Sequence, residues 1–177
     1  MLVAALLAAL LGRRRFGRLS LGDLLAFVSV VVLHPFVEWV LHRGMLHGPP
    51  RTVAGRVIDV GAPHRGHHRM PDDVGGGLLG GANALADSAV VALAGAALGS
   101  LVGGTGALFT AIATGEASLA SYEWAHVLHH SGYRPKTSWF RALRATHLRH
   151  HFRDDTADFG VTSHLADRLL GTRSGDR

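Results

Sequence analysis

Apolar positions in this chain come in long blocks, not in the three-and-four rhythm of a surface helix. Residues 1–11 are wholly apolar, 21–41 carry only Asp23 and Glu38 as charges, and 78–120 carry only Asp87 and Glu116. A helix needs about twenty apolar residues to cross a hydrocarbon core. Residues 21–41 therefore read as one membrane span, which Pro35 is expected to kink by removing a donor and crowding the preceding turn. Residues 78–120 read as two spans joined by a tight turn at Gly103-Gly104-Thr105-Gly106. Gly95, Gly99 and Gly103 recur every fourth position there, which lets helix backbones approach closely in lipid. Residues 1–11 are too short to cross. Without a basic leader or a small-residue cleavage site they read as an interfacial or half-inserted helix rather than a cleaved signal, anchored by Arg13, Arg14, Arg15 and Arg18.

The remaining segments, 42–74 and 121–177, are polar and rich in His, Arg, Pro and Gly. Two spans separate them, so both lie on one side of the membrane. The reading is a single all-α unit over 1–177: an apolar and basic segment (1–20), a span (21–41), a histidine-rich segment (42–74), a helical hairpin (78–120) and a second histidine-rich segment (121–177).

Composition sharpens this picture. Apolar residues make up 47% and charged residues 18%, too apolar for a disordered chain and low in charge for a soluble domain. The net charge of +5 raises nucleic acid as a partner, but the basic runs are short and not interleaved with aromatics as in a single-strand binder. Arginines flanking apolar blocks fit the edge of a membrane instead. No cysteine is present, which excludes disulfides, iron–sulfur clusters and thiol nucleophiles. The metal-capable residue in abundance is histidine, with thirteen copies.

Ten of these form four spaced groups: His42 and His47; His64, His67 and His68; His126 and His130; His147, His150 and His151. In HxxHH, positions i, i+3 and i+4 share one helix face, so each triplet offers imidazoles in one direction. His126 and His130 do the same at i, i+4. His42 and His47, five apart, diverge unless the helix ends or bends, and Gly44 offers a place for that. The arrangement is duplicated: sixteen residues separate His47 from His64 and sixteen separate His130 from His147. Two similar halves, each with five histidines, suggest two metal ions held between them. His129 is read as a non-ligand, and His34 and His164 as ordinary surface or core histidines.

Imidazole alone does not choose among iron, zinc, copper and nickel. HExxH is absent, and three glutamates (Glu38, Glu116, Glu123) cannot build a four-Glu di-iron bundle. Haem between spans would need histidines deep in the apolar stretches. Gly75-x-Gly77-x-x-Gly80 matches a dinucleotide fingerprint literally, but no strand precedes it and no acidic residue follows at the needed distance. It reads as a flexible lead into the hairpin. Any electrons must then come from outside the chain.

The set Glu38-Trp-Val-Leu-His-Arg-x3-His47, His64-x2-His-His68, His126-x3-His130 and His147-Leu-Arg-His-His-Phe152 resembles the fatty acid hydroxylase (sterol desaturase) superfamily. So does the tail, Phe159-Gly-Val-Thr-Ser followed by Asp167-Arg-Leu-Leu-Gly-Thr172. The likeness runs from about Leu33 to Thr172. H-x3-H in the third motif is nearer to fatty acid 2-hydroxylases than to carotenoid ring hydroxylases, which carry H-x4-H there.

The resemblance implies an integral, multi-pass membrane enzyme with three to four membrane helices and a cytosolic histidine-rich cap. The cap would hold a nominally di-iron centre, with zinc as an ion acquired on purification. It implies insertion of one oxygen from O2 into a C–H bond of a lipid, most simply a fatty acyl chain. Two electrons would come from a cytochrome b5-like protein, a ferredoxin or a reductase. The ligands implied are His42, His47, His64, His67, His68, His126, His130, His147, His150 and His151, with no separate catalytic residue. Glu38, Glu123 and Asp154 are candidates to orient them by hydrogen bonding. Tyr122 shares the stripe of His126, and Trp39, Trp124 and Trp139 suit the membrane–water boundary. The same centre could instead desaturate or hydroxylate a carotenoid ring. A non-catalytic metal transporter would want polar ligands along the spans, where only Glu116 and Asp87 stand.

Overall fold

The computed structural model describes residues 2–73 and 81–176, with the side chains of 81–83 and 176 excepted. The Gly75–Gly80 pattern and the first residues of the 78–120 stretch lie outside the described residues. The chain is mainly helical: α1 (Leu2–Arg14), α2 (Leu21–Leu41), α3 (Ala62–Arg69), α4 (Gly81–Val102), α5 (Gly104–His130), α6 (Ser138–Phe152) and α7 (Leu165–Leu169). Helix α2 runs through Pro35 and passes directly into a π turn over His42–Leu46. Among the described residues two helical stretches are long and apolar enough to cross a membrane, Leu21–Leu46 and Ala84–Val102. Helix α1, about 20 Å long at 1.5 Å per residue, is too short.

The contacts divide the chain into two compact units. The first comprises 1–34 and 79–123. Its small core is Ala26, Ala107 and Ala111, with Val30 and Val102 packed on them. Small residues bring the backbones together as the glycine spacing suggests: a Cβ at Gly95 would lie 2.9 Å from the Ile112 backbone nitrogen, and one at Gly99 would overlap the Leu108 backbone. The turn between α4 and α5 falls where expected, with Gly104 at φ +74°. Arg13 departs from the expectation of an interfacial anchor. It is buried, its Nε donating to Asp23 Oδ1 at 2.6 Å and its Nη2 to Asp23 Oδ2 at 2.8 Å, while Thr110 Oγ1 donates to the same carboxylate at 2.5 Å. One ion pair thus ties α1, α2 and α5. Glu116 is also buried, accepting from Ser88 Oγ at 3.0 Å.

The second unit comprises 35–78 and 124–177 and contains all ten clustered histidines. It also holds an unforeseen antiparallel hairpin, β1 (Arg51–Val53) and β2 (Arg56–Ile58), with Val53 opposite Arg56. Ala54 and Gly55, both at positive φ (48° and 76°), form its turn, as a two-residue hairpin of matching twist requires. Trp124 and Trp139 are exposed, whereas Trp39 donates to Thr172 Oγ1 at 2.9 Å.

Candidate metal centre

Local features of the sequence bring the four histidine groups to one place. The π turn closes with His47 N–H donating to His42 O at 3.0 Å. Five residues then make about one turn, so His42 and His47 stack on the same side, with ring centroids 5.1 Å apart. Helix α3 starts with Pro63 in its first turn, a position where the missing N–H costs nothing. Arg65 fixes α3 to the chain after the π turn, donating to Asp59 at 2.6 Å and to Gly48 O at 2.8 Å. Thr137 caps α6 by accepting from Phe140 N–H. Arg144 on α6 donates to the carbonyls of His129, Ser131 and Tyr133 at 2.9–3.0 Å. His129 is in the last turn of α5, whose carbonyls lack helical donors, and Ser131 and Tyr133 follow it, so α6 docks with its histidines beside those of α5.

The imidazoles assemble into two adjoining sets. In the first, His42, His47, His64, His68 and His150 offer nitrogens that all lie within 4.8 Å of one another. Their Nε2 atoms approach at 2.9 Å (His42 to His64), 3.1 Å (His64 to His47 and to His68) and 3.0 Å (His47 to His150). In the second, His67, His126, His130 and His151 meet the same limit. His67 Nε2 is 3.1 Å from those of His126 and His130, and His147 Nε2 is 2.9 Å from His130 Nε2. Nine of the ten predicted histidines fall in the two sets and His147 adjoins the second through His130; the first set takes four from one half of the chain and one from the other, the second one and three. His68 and His151 stack where the sets adjoin, centroids 4.0 Å apart.

The second ring nitrogens decide the tautomers. His42 Nδ1 donates to Phe159 O at 2.5 Å and His150 Nδ1 to Ala157 O at 2.6 Å. A carbonyl only accepts, so both rings carry their proton on Nδ1 and face their neighbours with an Nε2 lone pair. Burial, followed by the neighbouring imidazoles, holds the rings unprotonated: His68 is pushed down to about 3. His130 falls to about 4 by burial and His67, and His47 to about 4 by burial and His150. His64, His147 and His151 are lowered further for the same reasons.

Converging lone pairs repel unless a cation lies between them, and both ring nitrogens of half-buried His151 are shielded from solvent and lack a hydrogen-bond partner among the described residues. The donor set therefore fits metal ions.

For His42 and His150 the orienting groups are backbone carbonyls. His42 and His150 hydrogen-bond to backbone carbonyls of the segment 157–162, and the carboxylates act one step further out. Glu38 accepts from Val161 N–H and from both the N–H and hydroxyl of Thr162. Buried Asp167 accepts from Phe159 N–H at 3.0 Å, Gly160 N–H at 2.7 Å and Thr172 Oγ1 at 2.7 Å. Asp158, between the two carbonyls and at φ +56°, accepts from Ser174. The Asp154 carboxylate accepts from Thr156 N–H at 3.0 Å, closing a local turn, and Glu123 stands three residues before His126 on α5. His129 lies outside both sets: its Nε2 donates to Val161 O at 2.9 Å and its ring stacks on Phe140. His164 is buried against Thr146, 2.8 Å away. Asp167 and the 157–161 carbonyls escaped the sequence reading; the sole cue was the Phe159–Thr172 tail motif.

A model of the fatty acid hydroxylase family matches residues 27–172. Over 54 residues, 30% of this chain, the sequence is 41% identical to a dihydroceramide fatty acyl 2-hydroxylase of Arabidopsis thaliana. That match spans 22% of the relative's length. No solved structure matches the chain.

Proposed function

The chain belongs to the fatty acid hydroxylase family, and we propose that it is a membrane-bound, O2-dependent lipid C–H hydroxylase with a dinuclear metal centre, acting on a fatty acyl chain. The observation that carries this reading is the pair of adjoining imidazole sets whose Nε2 atoms converge at 2.9–3.1 Å. His42, His47, His64, His68 and His150 would hold one ion, and His67, His126, His130, His147 and His151 the other. Two iron ions bound there supply O2 activation, with two external electrons and two protons, so that a lipid C–H becomes C–OH and water is the second product.

The chain's own residues prepare that chemistry. His42 and His150 keep Nε2 available because Phe159 and Ala157 hold their Nδ1 protons. Glu38 and Asp167 fix those carbonyls by taking the N–H groups of Phe159, Gly160, Val161 and Thr162. Burial of His42, His67, His126, His147 and His150 keeps water from the donors, and His47, His68 and His130, lowered by burial, stay neutral at physiological pH. Cysteine ligands, which an oxidising centre would destroy, are absent.

The membrane placement follows from the apolar helices. Leu21–Leu46 and Ala84–Val102 cross the bilayer, α5 returns, and α1, too short to cross, lies in the interface or half-inserts. Both histidine-rich segments then share the cytoplasmic side, where a cytochrome b5-like protein, ferredoxin or reductase delivers electrons. The family relative that the chain matches is named for 2-hydroxylation of a fatty acyl group, which supports an acyl chain as substrate.

Comparative lipid mass spectrometry of cells with and without the protein tests the reading. A lipid gaining one oxygen (+16 mass units) only in cells with active protein is expected. A loss of two hydrogens instead assigns desaturation, and an unchanged lipid profile overturns the proposal.

A further inference from the structure

Away from the histidine sets, the second unit has a cleft of about 370 Å³ between α6 and α7, among whose lining residues are Arg168, Arg173, His164, Ser138, Ser163 and Trp139. Its chemistry is one-sided. Arg168, Arg173, Ser138 and Ser163 are among its lining residues, and none of these lining residues is acidic. Ser138 and Trp139 open α6, whose first-turn N–H groups have no helical acceptor. Thr137 takes that of Phe140. His164 is buried, and its ring is held in place by Thr146.

We propose that this cleft is a phosphate-binding site, taking a phosphoryl group borne by a lipid headgroup or a free phosphate. Arginine pairs bind phosphate oxygens through forked, charge-assisted hydrogen bonds. Hydroxyls and a helix N-terminus complete such sites. The cleft's volume accepts a phosphoryl group with several attached atoms, whereas a docking surface for a protein would be broader and flatter. Nothing in the proposal depends on the metal centre.

Trp139 lines the cleft and serves as its reporter. Full-length protein in a phosphate-free maltoside detergent is titrated with inorganic phosphate at constant ionic strength, against chloride. A saturable change in tryptophan fluorescence is expected, lost in W139F and at least tenfold weaker in affinity in R168Q and in R168Q/R173Q. Thermal unfolding of each variant confirms that it is folded. In a second arm the fluorescence change is sought on adding phosphatidate-containing vesicles. Competition between vesicles and inorganic phosphate assigns a lipid headgroup; phosphate binding without competition assigns a free phosphate. A response that matches chloride, or that survives unchanged in both arginine variants, overturns the site.

Discussion

His67 and His150, the middle members of the two HxxHH triplets, are exchanged between the imidazole sets. His67 Nε2 lies 3.1 Å from His126 and His130 of the second half, and His150 Nε2 lies 3.0 Å from His47 of the first. Helix geometry explains the exchange. Successive residues turn by about 100°, so His67 and His68 cannot serve one point. His64 and His68, four apart, differ by only about 40°. Each triplet therefore gives two rings to its own set and one to the other, and the two halves lock together through their donors.

The exchange predicts what single substitutions do. His67→Ala removes a donor that reaches His126 and His130, and His150→Ala one that reaches His47. Metal analysis should find about two ions per chain in the parent protein and about one in either variant, with loss of hydroxylated lipid in both. Retention of two ions in either variant would falsify the assignment of that ring.

The sequence revealed where these donors lie but not how they are shared. Spacing and duplication mark all ten histidines because helical periodicity is a local property. The sharing depends on how α3 and α6 face each other, which Arg65 and Arg144 settle through backbone carbonyls that leave no sequence signature. The H-x4-H pair was legible only as a problem: five residues do not align on an α-helix, and the π turn that solves it has no residue code beyond Gly44. The same blindness hid the carbonyls of Ala157 and Phe159 behind the expectation of carboxylates. The apolar blocks, by contrast, foretold α2, α4 and the Gly104 turn directly, since length and hydropathy are sums over residues. The hairpin at 51–58 was missed because three-residue strands carry too little alternation to register.

Asp167 gathers three donors, two of them buried backbone N–H groups of the segment that orients His42 and His150. Asp167→Ala leaves them without an acceptor, and each orphaned buried donor costs about 1–3 kcal/mol. A destabilisation of about 2–5 kcal/mol is expected, with Asp167→Asn milder because its amide oxygen still accepts. Metal affinity should fall by about 10–100-fold in Asp167→Asn, as for other groups that orient ligands through a second contact. Thermal unfolding and chelator competition read the two effects separately; an Asn variant with parental affinity would show that the segment does not position the donors.

Arg13 and Asp23 form a buried pair, so removing one partner strands the other. Arg13→Ala leaves Asp23 with Ser20 and Thr110 but no counter-charge, and should lower the unfolding temperature measurably. Replacing Arg14, which lies outside this network, should cost under about 0.5 kcal/mol. Equal effects of the two substitutions on thermal unfolding would return Arg13 to the role of a surface anchor.

Acid should weaken the metal-free protein over a defined window. In an unfolded chain these imidazoles titrate near about 6.5, whereas in the folded protein His47 and His130 titrate near 4 and His68 near 3. Between those values the unfolded chain binds protons that the folded chain refuses, so stability falls as pH falls. Above about 6.5 both states are neutral and the dependence vanishes. Metal-stripped protein should therefore lose unfolding temperature steadily from about pH 6.5 toward pH 4. A His47→Gln/His68→Gln variant removes two of the titrating rings and should show a shallower fall over the same range. A stripped protein equally stable at pH 7 and pH 4.5 would mean that the rings are not held dry and neutral, and the converging lone pairs on which the metal reading rests would not exist in solution.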